Sequence, residues 1–179
     1  KIEKVTKYHC HQVGEQLARM HLQTSDFSLT RENDLNQKNW RSIFEKCKQI
    51  QHNQYDKFFE IIENNLKILE NKWPIDLPKG VIHADVFQDN VFFIEGALSG
   101  LIDFYFACND FYAYELAICI NAWCFDKEGS FDQAKYNSII QGYQNLRKLT
   151  LSEIKYLDIL LIGAAMRFLL TRLYDKLYH

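Results

Sequence analysis

The sequence has no Cys-x-x-Cys pair, no long apolar run and no excess of either charge, and each absence excludes a class of protein. Its longest apolar stretch, residues 159–166, falls short of the ~18 residues that a membrane-spanning helix needs. The 21 basic and 23 acidic residues give a net charge of −2. Bulk charge therefore gives no reason to expect binding to nucleic acid or to an anionic membrane, and a phosphate site must be local.

Cysteine is present, but in an odd number, which disfavours a disulfide framework. The five are Cys10, Cys47, Cys108, Cys119 and Cys124. Most lie in apolar runs, where a free cysteine behaves as a small hydrophobic residue, so we expect a reduced, cytoplasmic protein. His9, Cys10 and His11 resemble a metal cluster, but helical neighbours one residue apart point to different faces and do not converge on one ion.

Proline is also scarce, and helical spacing dominates both ends of the chain. The first predicted helix ends near His21, a polar loop covers 24–36, and a second helix covers 37–50. A third helix ends before Trp73-Pro74. With 47% hydrophobic and 25% charged residues, the 179-residue chain has the composition of one ordinary globular domain.

The pattern changes in the middle of the chain. Short apolar segments at 80–82, 91–94 and 98–102 predict strands, with a hairpin turn at 95–97, so we expect one small β unit over 80–103. We expect helices again after Asn109-Asp110, either of which could cap the next one, then from Ser130, and from about Leu151 to Leu177 behind a Thr150–Glu153 capping box. The predicted fold class is α+β, mainly α.

Residues 81–104 carry the polar side chains that suggest chemistry. Asp85 follows a short strand, Asn90 lies five residues further on, and Asp103 ends the second strand of the hairpin. A carboxylate at a strand end can accept a proton from a hydroxyl. A carboxylate and an amide oxygen suit Mg²⁺ bound to nucleotide phosphates, and this combination is what phosphoryl transfer requires. The alternative is that these carboxylates only cap turns.

The segment H-x-D-x-x-x-x-N followed by I-D-F resembles the catalytic and metal loops of the aminoglycoside-phosphotransferase-like kinases, relatives of the protein kinases. The resemblance implies that Asp85 is the catalytic base, that Asn90 and Asp103 bind Mg²⁺ on ATP, and that His83 braces the loop. L-A-R-M-H at 17–21 resembles a helix of the same superfamily, in which His21 would be structural.

Three further stretches resemble the homoserine kinases of this superfamily. They are S-G-L-I-D-F-Y-F-A-C-N-D at 99–110, Y-E-L-A-I-C-I-N-A-W-C-F at 114–125 and R-F-L-L-T-R-L-Y-D at 167–175. The resemblance implies transfer of the γ-phosphate of ATP to the hydroxyl of homoserine, in threonine biosynthesis. A kinase for another small hydroxyl substrate (an aminoglycoside, a choline-like molecule or a sugar) and a non-catalytic binding fragment are the alternatives.

Homoserine carries an ammonium and a carboxylate, so its pocket should offer an anion and a cation. The candidates are Tyr105, Asn109, Asp110, Glu115, Trp123, Arg167 and Arg172. For each, a structural role competes: Asp110 could cap a helix and Trp123 could belong to the core. Arg167 and Arg172 lie five residues apart and share a helix face poorly, so at most one is expected to be a direct ligand.

The sequence departs from the family pattern at two positions and at its front. Gln88 stands where relatives usually have proline, and Glu115 stands where they commonly have aspartate. No Gly-rich phosphate loop or nucleotide lysine precedes the first helix. We therefore expect residues 1–179 to be the C-terminal lobe of a longer kinase, paired with an N-terminal nucleotide lobe and unable to transfer phosphate efficiently alone.

Overall fold

The computed structural model describes residues 4–50 and 55–178, in which three helices, four short strands and three more helices follow one another. The helices are α1 (Lys7–Gln23), α2 (Gln37–Lys48), α3 (Asp56–Lys72), α4 (Tyr112–Trp123), α5 (Gln133–Leu146) and α6 (Leu151–Tyr178). The strands are β1 (Lys79–Ile82), β2 (Val91–Ile94), β3 (Ala97–Leu101) and β4 (Cys108–Phe111). The predicted order of helices, β region and helices is confirmed.

Local signals place the helix ends. Thr6 caps α1 through a reciprocal bond with His9. The predicted Thr150–Glu153 capping box is confirmed, because the N–H of Thr150 donates to the Glu153 carboxylate at 2.8 Å and the N–H of Glu153 donates to the Thr150 hydroxyl at 3.1 Å. Pro74 lies just beyond the end of α3, as expected.

The β residues form two separate two-stranded sheets instead of one unit. The hairpin of β2 and β3 turns at Glu95 and Gly96, whose φ values of 50° and 81° suit a two-residue type I′ turn. Strand β1 pairs antiparallel with β4, with Gly80 opposite Asp110. Strand β4 was not predicted, because asparagine and aspartate at its centre are depleted in strands and its pairing with β1 is a long-range interaction.

Two predicted helix starts are wrong. Asn109 and Asp110 lie in β4 and cap nothing, since α4 begins at Tyr112 without a side-chain cap. The helix expected from Ser130 begins at Gln133, where the Asp132 carboxylate accepts hydrogen bonds from the N–H groups of Ala134 and Lys135. The actual cap lies two residues beyond the expected start and satisfies donors that the helix itself leaves unpaired.

The core surrounds α4, whose residues from Ala113 to Ile120 are all buried. Helix α6 packs on α4 and α2, and α1 packs on α5. The five cysteines are free and buried, as expected, and burial raises the pKa of the Cys10 thiol to about 12. Within the two described ranges, no helix has the length and apolar character to cross a membrane.

Helices α1 and α5 touch backbone to backbone at two glycines. A Cβ placed on Gly142 would lie 2.0 Å from the carbonyl oxygen of His11, and one on Gly14 would lie 2.2 Å from the carbonyl oxygen of Ile139. Neither obstacle is a movable side chain. The absence of a side chain at both positions therefore sets the distance between α1 and α5.

We expect Gly142→Ala to lower the free energy of unfolding by about 1–3 kcal/mol, because the added methyl must push two helix backbones apart. Urea denaturation followed by circular dichroism measures the change. Gly100→Ala, in β3, is the matched control, since nothing lies within 4 Å of its added Cβ. Equal stability of the two variants would contradict this account of the α1–α5 contact.

Candidate active site

His83, just after β1, braces the loop that carries Asp85. Its Nε2 lies 2.8 Å from the carbonyl oxygen of Ile102, and its Nδ1 lies 3.3 Å from the backbone nitrogen of Asp85. These partners fit a neutral ring that donates from Nε2 to Ile102 and accepts at Nδ1 from the Asp85 N–H. The ring also contacts Phe104. These contacts join the loop to the end of the hairpin, and they fit the bracing role expected for His83.

Ala84 holds a backbone conformation that an alanine rarely adopts, with φ of 63°. Buried charged residues bind both the N–H and the carbonyl of Ala84. Its N–H donates to Glu115 Oε1 at 2.7 Å, and its carbonyl accepts a hydrogen bond from Arg167 Nη1. The two contacts fix the turn that presents the next residue, Asp85.

Asn90 connects Asp85 to the hairpin. Its Nδ2 donates to the carbonyl oxygen of Asp85 at 2.9 Å and to Asp85 Oδ2 at 3.0 Å. The backbone carbonyl of Asn90 accepts from the N–H of Ile102 at 3.0 Å. Because the amide nitrogen faces Asp85, the side-chain oxygen of Asn90 is left free to bind a cation.

Asp103 lies at the end of the hairpin in the left-handed region, with φ of 61°. Its side chain is exposed and forms no hydrogen bond or ion pair with a described residue, but its charge acts on Asp85. An exposed carboxylate and a free amide oxygen form an open pair of hard ligands. This pair fits Mg²⁺, which takes one or two protein oxygens and completes its shell with water and phosphate. In the described part of the chain, no three His, Cys, Asp or Glu side chains form a closed metal cluster.

Burial raises the pKa of the Asp85 carboxyl above its usual value, and the negative charge of Asp103 adds to this effect. The positive charge of Arg167 and the hydrogen bond from Asn90 oppose it. A half-buried carboxylate with a raised pKa accepts protons more readily than a solvated one. Asp85 is therefore suited to remove a proton from a hydroxyl group.

A chain of buried polar groups links Glu115 to the start of α6. Glu115 Oε2 lies 2.7 Å from His21 Nε2, and His21 Nδ1 lies 2.7 Å from the Tyr143 hydroxyl. That hydroxyl accepts from Arg147 at 3.2 Å, and Arg147 forms an ion pair with Glu153 at 2.9 Å. Helices α1, α4, α5 and α6 thus all contribute to the support of Ala84. The buried position of His21 fits the structural role expected for it.

Two expected substrate residues need correction. Glu115 is fully buried and its carboxylate is taken by Ala84 and His21. Trp123 is fully buried, and its Nε1 donates to the carbonyl oxygen of Val86 at 2.8 Å. Both side chains support the loop that carries Asp85 from inside the protein. We therefore assign them to positioning and not to substrate contact.

The other candidates lie on two sides of the loop. Tyr105 is exposed, and Asn109 accepts from the N–H of Arg31 at 2.8 Å. Asp110 accepts from Asn33 Nδ2 at 2.6 Å, and burial raises the pKa of its carboxyl. Arg172 is exposed over the rings of Phe87 and Phe168 at the rim of a cavity of about 680 Å³. Arg167, by contrast, is buried beside Ala84.

A smaller cavity of about 220 Å³ lies between residues 31–35 and the segment that follows Asp103. One side is lined by the charged and amide side chains of residues 31–34. The other side is lined by Tyr105, Phe106 and Cys108. Sequence reasoning missed residues 31–35, because a polar turn-rich stretch shows only that a loop is present. The Arg-Glu-Asn-Asp run at 31–34 is the one signal that could have indicated a site for a zwitterion.

Residues 3–149 match the family model described as "Phosphotransferase enzyme family", so the chain belongs to that family of phosphate-transferring enzymes. It is 50% identical over 171 residues to a homoserine kinase of Parvibaculum lavamentivorans, covering 96% of this chain and 53% of the relative. It is 49% identical over 168 residues to a homoserine kinase of Bartonella henselae, covering 94% and 53%. The chain thus spans about half the length of these curated relatives.

Solved structures support the fold. An amicoumacin kinase in complex with AMP-PNP and Ca²⁺ superposes with a TM-score of 0.68 at 12% identity, covering 96% of this chain and 59% of that one. A Plasmodium vivax ethanolamine kinase superposes with a TM-score of 0.66 at 16% identity, covering 97% and 55%. The expected class, α+β and mainly helical with the C-terminal lobe of the protein-kinase-like fold, is confirmed.

We expect Glu115→Ala to lower the free energy of unfolding by about 3 kcal/mol, because it leaves the Ala84 N–H and His21 buried without their acceptor. Urea denaturation measures the loss. Glu60→Ala is the matched control, because Glu60 is exposed on α3 and forms no hydrogen bond or ion pair with a described residue. If both variants unfold at the same urea concentration, the Glu115 carboxylate does not hold the loop.

Proposed function

We propose that this chain is the catalytic lobe of a kinase that transfers the γ-phosphate of ATP to the side-chain hydroxyl of homoserine, in the pathway to threonine. The observation that carries the proposal is the open arrangement of Asp85, Asn90 and Asp103 around one loop. The homoserine kinases at about 50% identity support the acceptor. The five free cysteines fit the cytoplasmic location that we propose with it.

In this proposal, Asp85 orients the acceptor hydroxyl and takes its proton as the oxygen attacks the phosphorus. The raised pKa of its carboxyl makes proton transfer easier, and the bond from Asn90 to Oδ2 leaves Oδ1 to face the hydroxyl. The bracing by His83, Glu115 and Arg167 keeps the carboxylate at one position. Such positioning is a large part of catalysis in phosphoryl transfer.

Asn90 and Asp103 would hold Mg²⁺ on the nucleotide. When bound, this ion neutralises the charge of the phosphate oxygens. The structure keeps both candidate ligands free of protein partners on their oxygen atoms, which is the state that metal binding requires. Among relatives of the fold, the amicoumacin kinase was solved with a nucleotide analogue and Ca²⁺.

The charges around the cavity of about 220 Å³ favour a zwitterionic acceptor over a polycation. Arg31 and Asp34 in its lining lie 3.5 Å apart and carry charges of both signs. A larger cavity of about 900 Å³ shares Arg31 with it and also has Asn109 and Asp110 in its lining. We place the acceptor in or beside the smaller cavity, where Tyr105 belongs to the lining.

We also propose that an N-terminal nucleotide lobe packs on the face that carries the hairpin. Large apolar side chains on the hairpin and the following segment are exposed there: Phe92, Ile94, Ile102, Phe104 and Tyr105. A contiguous exposed apolar patch usually marks an interface. A lobe at this position would cover the patch and enclose the ATP phosphates next to Asp103.

The full-length protein with Mg²⁺-ATP should release ADP in the presence of homoserine, and not with choline, a methylthio-sugar or an aminoglycoside. A coupled ADP assay measures the rates. Stimulation by a different acceptor would support the kinase proposal but exclude homoserine as the acceptor. Nucleotide binding without stimulation by any acceptor would favour the binding-fragment alternative.

Asp85→Asn in the full-length protein should lower kcat by about 10²- to 10⁴-fold, the scale of a lost general base, while ATP binding persists. Asp103→Asn should instead shift the Mg²⁺ concentration needed for half-maximal rate upward. Asp89→Asn is the matched control, because Asp89 is exposed in the same loop and contacts neither residue. Near-normal turnover of Asp85→Asn would remove the base assignment, and an unchanged Mg²⁺ titration of Asp103→Asn would remove the ligand assignment.

A further inference from the structure

Arg167 is a buried cation that the described residues satisfy only in part. The residue is 2% exposed, and none of the described carboxylates lies within ion-pair distance of its guanidinium. Its Nη1 donates to the carbonyl oxygen of Ala84, but its Nε has no acceptor. Burying a charge with unpaired donors is costly, and native proteins usually pair such a group with an anion.

Apart from the Ala84 carbonyl, the partners that the described residues offer this guanidinium are aromatic rings. Its centre lies 4.4 Å from the ring centroid of Phe168 and 5.4 Å from that of Phe106. Cation–π contacts of this kind are weaker than the charge-assisted hydrogen bonds that a carboxylate would make to the same group. The arginine is therefore held in place with binding capacity left over.

The position of Arg167 relates it to the acceptor. It lies against the residue that precedes Asp85, and its positive charge acts on both Asp85 and Asp110. The Phe106 ring that covers it also lines the cavity of about 220 Å³. The Phe106 ring therefore lies between this cavity and Arg167, so an acceptor carboxylate can meet Arg167 only if that ring turns aside.

We propose that Arg167 binds the carboxylate of the acceptor and so selects an amino alcohol that carries a carboxylate; this inference rests on the proposed kinase function. Arg172 does not share the role. It is exposed, stacks over Phe87 and Phe168, and lies at the rim of the separate, larger cavity. Solvent screens its charge, so its surroundings do not require an anionic ligand.

The test compares homoserine with 3-aminopropan-1-ol, which has the same ammonium and hydroxyl but lacks the carboxylate. For the full-length wild-type protein, kcat/KM for homoserine should exceed that for the amino alcohol by about 10- to 100-fold, the scale of hydrogen bonds to a charged group. Arg167→Gln should reduce this ratio to near one, and Arg167→Lys should retain part of it. Arg172→Gln should leave the ratio unchanged.

The ratio of the two kcat/KM values distinguishes carboxylate binding by Arg167 from its support of the loop that carries Asp85. Loss of the Ala84 contact slows both acceptors equally, so an Arg167→Gln variant with lower rates but an unchanged ratio would overturn the inference. A reduced ratio in Arg172→Gln instead would also overturn it. If Arg167→Gln does not fold, the wild-type ratio still decides, because equal use of both acceptors excludes a carboxylate site.

Failure of the proposed function would be seen separately, as no homoserine turnover by a wild-type protein that phosphorylates another acceptor. The same comparison then uses that acceptor and its analogue without an anionic group. An acceptor that carries no anion would overturn the role of Arg167, whereas an anionic acceptor whose preference disappears in Arg167→Gln would support it.

Discussion

The structure depends on how the backbone of one residue, Ala84, is held. The residue adopts a left-handed conformation that costs an alanine of order 1 kcal/mol, and it precedes the candidate base directly. Glu115 binds its N–H and Arg167 binds its carbonyl, so α4 and α6 both contact the same turn. The buried charge of Glu115 is stabilised by the wider set of contacts to which it belongs.

The wider contacts explain why the lobe needs its particular helix arrangement. Glu115 must satisfy its second oxygen, and His21 on α1 does so; His21 in turn requires Tyr143 on α5. The close approach of α1 and α5 at Gly14 and Gly142 brings these two residues together. The absence of a side chain at Gly14 and Gly142 is thus linked, through three hydrogen bonds, to the position of Asp85.

The sequence predicted what is encoded locally. The helices, the hairpin turn and the Thr150–Glu153 box follow from spacing and short-range hydrogen bonds, and the order of Asp85, Asn90 and Asp103 follows from a strand, a loop and a hairpin. Strand β4 could not be predicted, since its Asn-Asp centre resembles a turn until β1 lies beside it. For the same reason, the sequence offers Asn109 or Asp110 as a possible helix cap, although Asp110 is bound by Asn33 from a distant loop.

The roles of charged residues were the hardest to predict, because burial and pairing arise only from tertiary structure. Glu115 and Arg167 are both charged residues far from the loop in sequence, but both oxygens of Glu115 are occupied, whereas Arg167 retains an unpaired donor. That difference separates a supporting side chain from the one that we propose as a binding group. A buried cation with an unpaired donor is stabilised by a ligand that supplies an anion, so in the proposed role the burial of Arg167 favours acceptors that carry a carboxylate.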